Sequence, residues 1–145
     1  MNLQWEELAE RGDIKGAVEA YVRRYDWVTF AELRNRLKGY VEMAGDCCIE
    51  IVPNGVLWTG MSDAFCTAIT ELIKEEKLFF HLADALPYFI DGGALALPLA
   101  KRVTKTGYKK PHWLPVYLRV VPIEDSKAAR KQATRKGRST GGSHG

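Results

Sequence analysis

The stretch TFAELRNRLKGYV, residues 29–41, admits little besides a short capped helix. Thr29 and Glu32 stand three apart, the spacing at which each side chain reaches the other's backbone N–H and closes the first turn. Phe30, Leu33, Leu37, Tyr40 and Val41 fall on one face, Arg34, Arg36 and Lys38 mostly off it, and Gly39 marks the end. A helix with one apolar face must bury that face, so the rest of the chain has to supply the surfaces that cover it.

Those surfaces are legible on both sides. Upstream, NLQWEELAER predicts a short helix capped by Asn2, with Leu3, Trp5, Leu8 and Ala9 as its contacts and Gly12 as its stop. Asp13 caps a second helix whose Ile14, Ala17, Val18, Tyr21, Val22 and Tyr25 recur at helical spacing. Downstream, CCIEIVPNGVLWT predicts two short strands about Pro53-Asn54-Gly55, because Asn-Gly tolerates positive φ in a tight hairpin turn. Ser62 caps a helix with Phe65, Ala68, Ile69, Leu72 and Ile73 inward and Lys77 closing it. LFFHLA reads as a strand, DALPYFIDGG as a turn-rich or helical connector, and two further strands follow at about 94–100 and 113–121. Leu95, Leu97 and Leu99 share one face by alternation, while Pro98 and Pro115 remove ladder donors and belong at an edge or a bulge.

With 145 residues, 46% of them hydrophobic and 27% charged, the chain has the length and composition of one soluble domain, expected over 1–125. No apolar run approaches the ~18 residues of a membrane span, since His81, Asp84 and Pro87 interrupt LFFHLADALPYFI. Three cysteines, Cys47, Cys48 and Cys66, two of them adjacent, argue against a disulfide framework and for a reducing, cytoplasmic setting. Residues 126–145 hold six bases, no acid and no large apolar side chain, and are expected to form a disordered basic arm.

The net charge of +3 conceals a division. Residues 1–91 carry 9 basic against 16 acidic side chains, and residues 92–145 carry 12 against 2. Between Asp91 and Glu124 there is no acid at all. Polarity of this kind points to a nucleic-acid or membrane partner, unless the acidic front simply attracts the basic back. The densest stretch is KRVTKTGYKKPHWLP at 101–115, with five bases between two apolar segments.

The order helix, strand-like WVT, helix, hairpin, helix, then strands with a basic loop resembles the winged-helix variant of the helix-turn-helix fold. VTFAELRNRL matches its second helix, SDAFCTAITELIKEEKLFF its third running into the sheet, and LALPLAKRVTKTGYKKPHWLPVYLRV its wing, a likeness over about residues 13–122. The resemblance implies an α+β fold of three or four helices, a small antiparallel sheet and a basic wing hairpin, and it implies DNA binding. Two features depart from it. A hairpin stands at 48–59 where a tight turn is usual, and the third helix offers Thr67, Thr70, Glu71 and Lys74 outward, with no Arg, Asn or Gln for base edges.

The chemistry of 101–112 is that of backbone attachment. Lys101, Arg102, Lys105, Lys109 and Lys110 in one small volume suit phosphates, and four lysines to one arginine favour contact with the backbone over base readout. His112 stands at the foot of the loop, and Tyr108 and Trp113 read as packing residues. Thr67, Thr70 and Lys74 form a modest groove-facing set, with Arg34 and Arg36 in support. Arg130, Lys131, Arg135 and Lys136, with Lys127 and Arg138, would extend the footprint along the arm. The partner expected is double-stranded DNA, with little base specificity and no membrane. The alternatives are a protein-interaction or assembly module, a homodimer among them, and an RNA-binding accessory protein.

No catalytic arrangement emerges. The cysteines and His81, His112 and His144 match no zinc spacing, and the cysteines read as small buried hydrophobes. His81 with Asp84 reads as a half-buried structural histidine, and Asp91-Gly92-Gly93 as a tight turn. Phosphate-loop, dinucleotide and nucleophile-elbow signatures are missing, so the expectation is a non-enzymatic protein without cofactor or metal.

Overall fold

Thr29 caps its helix as the sequence predicts, but Glu32 does not return the contact. In the computed structural model, which describes residues 3–123, the Thr29 hydroxyl accepts from the Glu32 N–H at 3.0 Å and donates to the Asp91 carboxylate at 2.6 Å. The Glu32 carboxylate instead accepts from the Tyr21 hydroxyl at 2.5 Å. Tyr21 is fully buried, and a buried hydroxyl without an acceptor costs more than an exposed backbone N–H left to water.

The capped helices are α1 (Gln4–Glu10), α2 (Ile14–Tyr25), α3 (Phe30–Leu37) and α4 (Asp63–Lys74). Leu3 precedes the first turn of α1, with its N–H donated to the Glu6 carboxylate at 3.0 Å, so the expected Asn2 cap is displaced by one residue and lies outside the described residues. Asp13 and Ser62 cap α2 and α4 by accepting from the Gly16 and Phe65 N–H groups at 2.9 and 3.1 Å. The end of α4 comes earlier than Lys77. Glu76 turns left-handed (φ 59°), and the Glu76 and Lys77 N–H groups bond back to the Ile73 and Leu72 carbonyls, a Schellman closure without its usual glycine.

Two small sheets complete an α+β architecture compatible with a winged-helix-like arrangement. β1 (Ala44–Val52) pairs antiparallel with β2 (Gly55–Met61), and β2 pairs in parallel with β4 (His112–Trp113). β3 (Phe79–Leu82) pairs antiparallel with β5 (Val116–Arg119), and Val28 of the WVT stretch bridges to Leu118 on the other side of β5. A fifth helix, α5 (Leu86–Ile90), occupies the connector. The 48–59 hairpin therefore belongs to a sheet of its own with β4. Its turn is Pro53-Asn54, positive φ falling on Asn54 (62°), and Gly55 already pairs with Val52. Proline followed by a positive-φ residue is the order of a type II turn.

The two strands expected around the basic loop are not built as expected. Residues 94–100 form no strand. Only Leu99 bridges to Trp113, in parallel, because Pro98 offers a carbonyl to the Trp113 N–H but no donor of its own. The segment 113–121 divides at Leu114-Pro115, where the chain passes from one sheet to the other. Leu114 donates to Val56 of the first sheet, and the Pro115 carbonyl accepts from Ala83 beyond β3 of the second. The loop is thus framed by a parallel bridge, and an antiparallel ladder does not form.

One apolar cluster runs from Trp5 to Leu118 through both sheets. Its spine is aromatic: Phe30 lies 6.2 Å from Phe65 and stacks on Trp58 at 6.1 Å, Trp58 meets Tyr88 at 5.3 Å, and Tyr88 meets Trp113 edge-on at 5.0 Å. The core thereby reaches the foot of the basic loop. Among the described residues no helix is long and apolar enough to cross a membrane.

Burial raises the Glu32 carboxyl above its ordinary range, and nearby Asp91 adds to this while the Tyr21 hydroxyl and Arg36 oppose it. A carboxyl whose folded pKa is raised contributes its stability below the unfolded value and loses it as pH rises through the folded one. Glu32→Gln keeps an acceptor for Tyr21 and removes the ionisation. The variant is expected to match the parent below pH 4 and to gain roughly 0.5 kcal/mol at pH 7, the half-buried site being screened by solvent. Denaturant melts at the two pH values check this, and an equal change at both would exclude ionisation as the cause.

Candidate nucleic-acid interface

Residues 101–111 have no regular secondary structure, yet they are fastened at several points. The Tyr108 N–H donates to the Pro53 carbonyl at 2.9 Å, the Asn54 side-chain amide donates to the Tyr108 carbonyl at 2.8 Å, and the His112 N–H donates to the Asn54 carbonyl at 2.8 Å. The turn of the β1–β2 hairpin is thus a clamp for the loop. Inside the loop, the Thr104 hydroxyl donates to the Gly107 carbonyl at 2.6 Å, and the Tyr108 hydroxyl bonds the Arg102 carbonyl. Gly107 has φ 83°, and a Cβ there would lie 2.2 Å from the Pro53 carbonyl oxygen, so this position is closed to every side chain.

The cations point outward. Lys101, Arg102, Lys105, Lys109 and Lys110 are all exposed, and none forms an ion pair with an acid among the described residues. Repulsion among five positive charges on one clamped loop is relieved by a polyanion or by small counterions. His112 is half-buried, with its ring 5.0 Å from that of Tyr108 and its Nδ1 bonded to the Lys110 carbonyl at 2.7 Å. Its geometry shapes the loop's second leg. Trp113 is buried, so it packs and is closed to base stacking.

The remaining candidates do not gather here. Thr67, Thr70 and Lys74 are exposed on α4, but the Thr70 hydroxyl is spent on the Cys66 and Thr67 carbonyls at 3.0 and 3.1 Å. Their neighbours Glu71 and Glu75 hold Lys15 of α2 at 3.2 and 2.6 Å. The α4 start adjoins the Met61 end of β2 and the loop adjoins its Gly55 end, a separation of roughly 20 Å for seven residues of strand. Arg34 is half-buried, 5.7 Å from the Trp58 ring, and Arg36 is exposed with its Nε donated to the Tyr21 hydroxyl at 3.2 Å. Arg130, Lys131, Arg135 and Lys136 lie outside the described residues.

Of the three cysteines expected to be small buried hydrophobes only Cys66 is buried, Cys47 being half-buried and Cys48 exposed. Burial, with help from Cys47, pushes the Cys66 thiol up to about 12, which keeps it protonated and a poor nucleophile at neutral pH. The His81 ring bonds the Val121 carbonyl at 2.6 Å. Among the described residues no three His, Cys, Asp or Glu side chains group closely enough to hold a metal ion. Asp91 does close a turn, and it also receives the Thr29 hydroxyl while its carbonyl accepts from Asn35 at 2.8 Å, contacts invisible in the local sequence. No protein-family model, curated protein or solved structure matches the chain.

Proposed function

We propose that this chain binds double-stranded DNA by its sugar–phosphate backbone, through the clamped loop 101–112, with little preference for base sequence. One observation carries the reading: five exposed cations, unpaired with any described acid, are presented by a loop whose main chain is fastened to the β1–β2 turn. Lysine predominance and the acidic, ion-paired surface of α4 support backbone attachment in preference to readout in the major groove.

Release of condensed counterions gives the test its size. With about five phosphates engaged, log affinity falls against log salt with a slope of roughly −4.5, so raising salt from about 50 to 200 mM weakens binding on the order of 500-fold. Fluorescence anisotropy with a random duplex measures both quantities. A chain without duplex affinity in 50 mM salt would favour the protein-interaction module, to which the acid-rich α4 face is better suited. A single-stranded competitor that outcompetes duplex would favour the RNA-binding reading.

A further inference from the structure

Beside the basic loop, and sharing Lys101, Arg102 and Val103 with it, lies a largely apolar surface that also carries Asp84. Leu82, Leu99 and Val103 are 62, 47 and 44% exposed, and together they line a groove of about 360 Å3 floored by Leu114 and Pro115. Ala85, on the same groove, leads directly into α5. That helix buries Tyr88 and turns Leu86, Phe89 and Ile90 outward at i, i+3 and i+4, exposed by 64, 65 and 75%. An apolar ridge thus stands next to an apolar groove.

Six large apolar side chains this exposed amount to roughly 600 Å2, at or above the upper end of what a soluble monomer leaves in one patch. Two such patches face to face come to roughly 1,200 Å2 of buried surface, the lower bound for a stable specific interface. Ridge and groove adjoin on one molecule, so a two-fold axis seats the ridge of each copy in the groove of the other, the self-complementary condition of an isologous pair. The groove has room for side chains the size of Phe89 and Ile90.

We propose that the chain forms a homodimer through this face, with Phe89 and Ile90 of each copy as the anchors that fill the partner copy's groove. Lys101 and Arg102 sit on the groove wall, so the pair carries its two basic loops along a common seam. The proposal does not rest on DNA binding, since assembly is read without nucleic acid.

Sedimentation equilibrium of the full chain from about 1 to 200 μM tests it. A reversible monomer–dimer equilibrium is expected in that range, and Phe89→Asp with Ile90→Asp is expected to weaken it at least about 30-fold, as loss of central anchors does. Thermal melting of the dilute double variant should stay at the parent's value, because both side chains are exposed in the single chain. A chain that stays monomeric at 200 μM overturns the proposal, even if an acidic peptide or an anionic vesicle is found to occupy the face instead. A dimer that survives both substitutions overturns it equally.

Discussion

Reversing Lys105, Lys109 and Lys110 to glutamate is expected to reduce duplex affinity at least about a hundredfold in 50 mM salt and to flatten its salt slope from roughly −4.5 to about −1.8. Three of five phosphate contacts go, and three repulsions replace them. All three lysines are exposed and none is ion-paired with a described acid, so their replacement removes nothing the fold depends on and stability should stay within about 0.5 kcal/mol. Lys74→Glu supplies the contrast. Lys74 stands among Glu71 and Glu75 at the far end of α4, where the local field already opposes phosphate, and its reversal should change affinity less than about threefold. Comparable losses from both variants would extend the contact to α4 and overturn its exclusion from the interface. An unchanged slope after the triple reversal would show that the loop never touched the backbone.

How much of this was legible in the chain depends on how far apart the interacting groups lie. Caps at Asp13, Thr29 and Ser62 were readable because a cap and the N–H it serves are three residues apart. The α+β class followed in the same way from the apolar periodicities and the turn signal at Pro53-Asn54-Gly55, although the turn itself falls on Pro53-Asn54. Glu32 was misassigned because its partner, Tyr21, is eleven residues back on another helix. The contacts of Arg34 with Trp58 and of Arg36 with Tyr21 were hidden for the same reason, both partners being remote in sequence. The strand at 94–100 failed for a different reason. Alternating leucines fit a half-buried ribbon, but Pro98 lacks the N–H that the next rung of a ladder needs, so pairing stops at the Leu99–Trp113 bridge. Pro115 was read as an edge or bulge position within one strand at 113–121, whereas it is where the chain crosses from one sheet to the other. The basic loop itself was plain in composition, whereas its clamp was not. Pro53 and Asn54 hold the loop mainly through main-chain carbonyls, which every residue possesses and no sequence pattern marks.

That clamp makes Gly107→Ala the second informative variant, since it leaves every charge in place. At φ 83° an L-residue costs roughly 1–2 kcal/mol relative to glycine. The added Cβ would also lie 2.2 Å from the Pro53 carbonyl oxygen and 2.8 Å from the Pro53 Cβ, in a turn that cannot yield without moving β1 and β2. The loop is expected to release, forfeiting the Tyr108–Pro53 and Asn54–Tyr108 hydrogen bonds at about 1 kcal/mol each. Loss of those two bonds, about 2 kcal/mol together, corresponds to exchange of the Tyr108 amide hydrogen accelerated roughly 30-fold. The Leu118 N–H, which bonds Val28 in the other sheet, should keep its protection. Because the five cations remain, the salt slope should hold near −4.5, while affinity drops about tenfold as the freed loop must be ordered again on phosphate. Slope reports how many charges engage, and intercept reports how well they are held beforehand. A variant with fast-exchanging Tyr108 but undiminished affinity would mean that the charges act as a diffuse cloud, and the clamp would then have no part in binding.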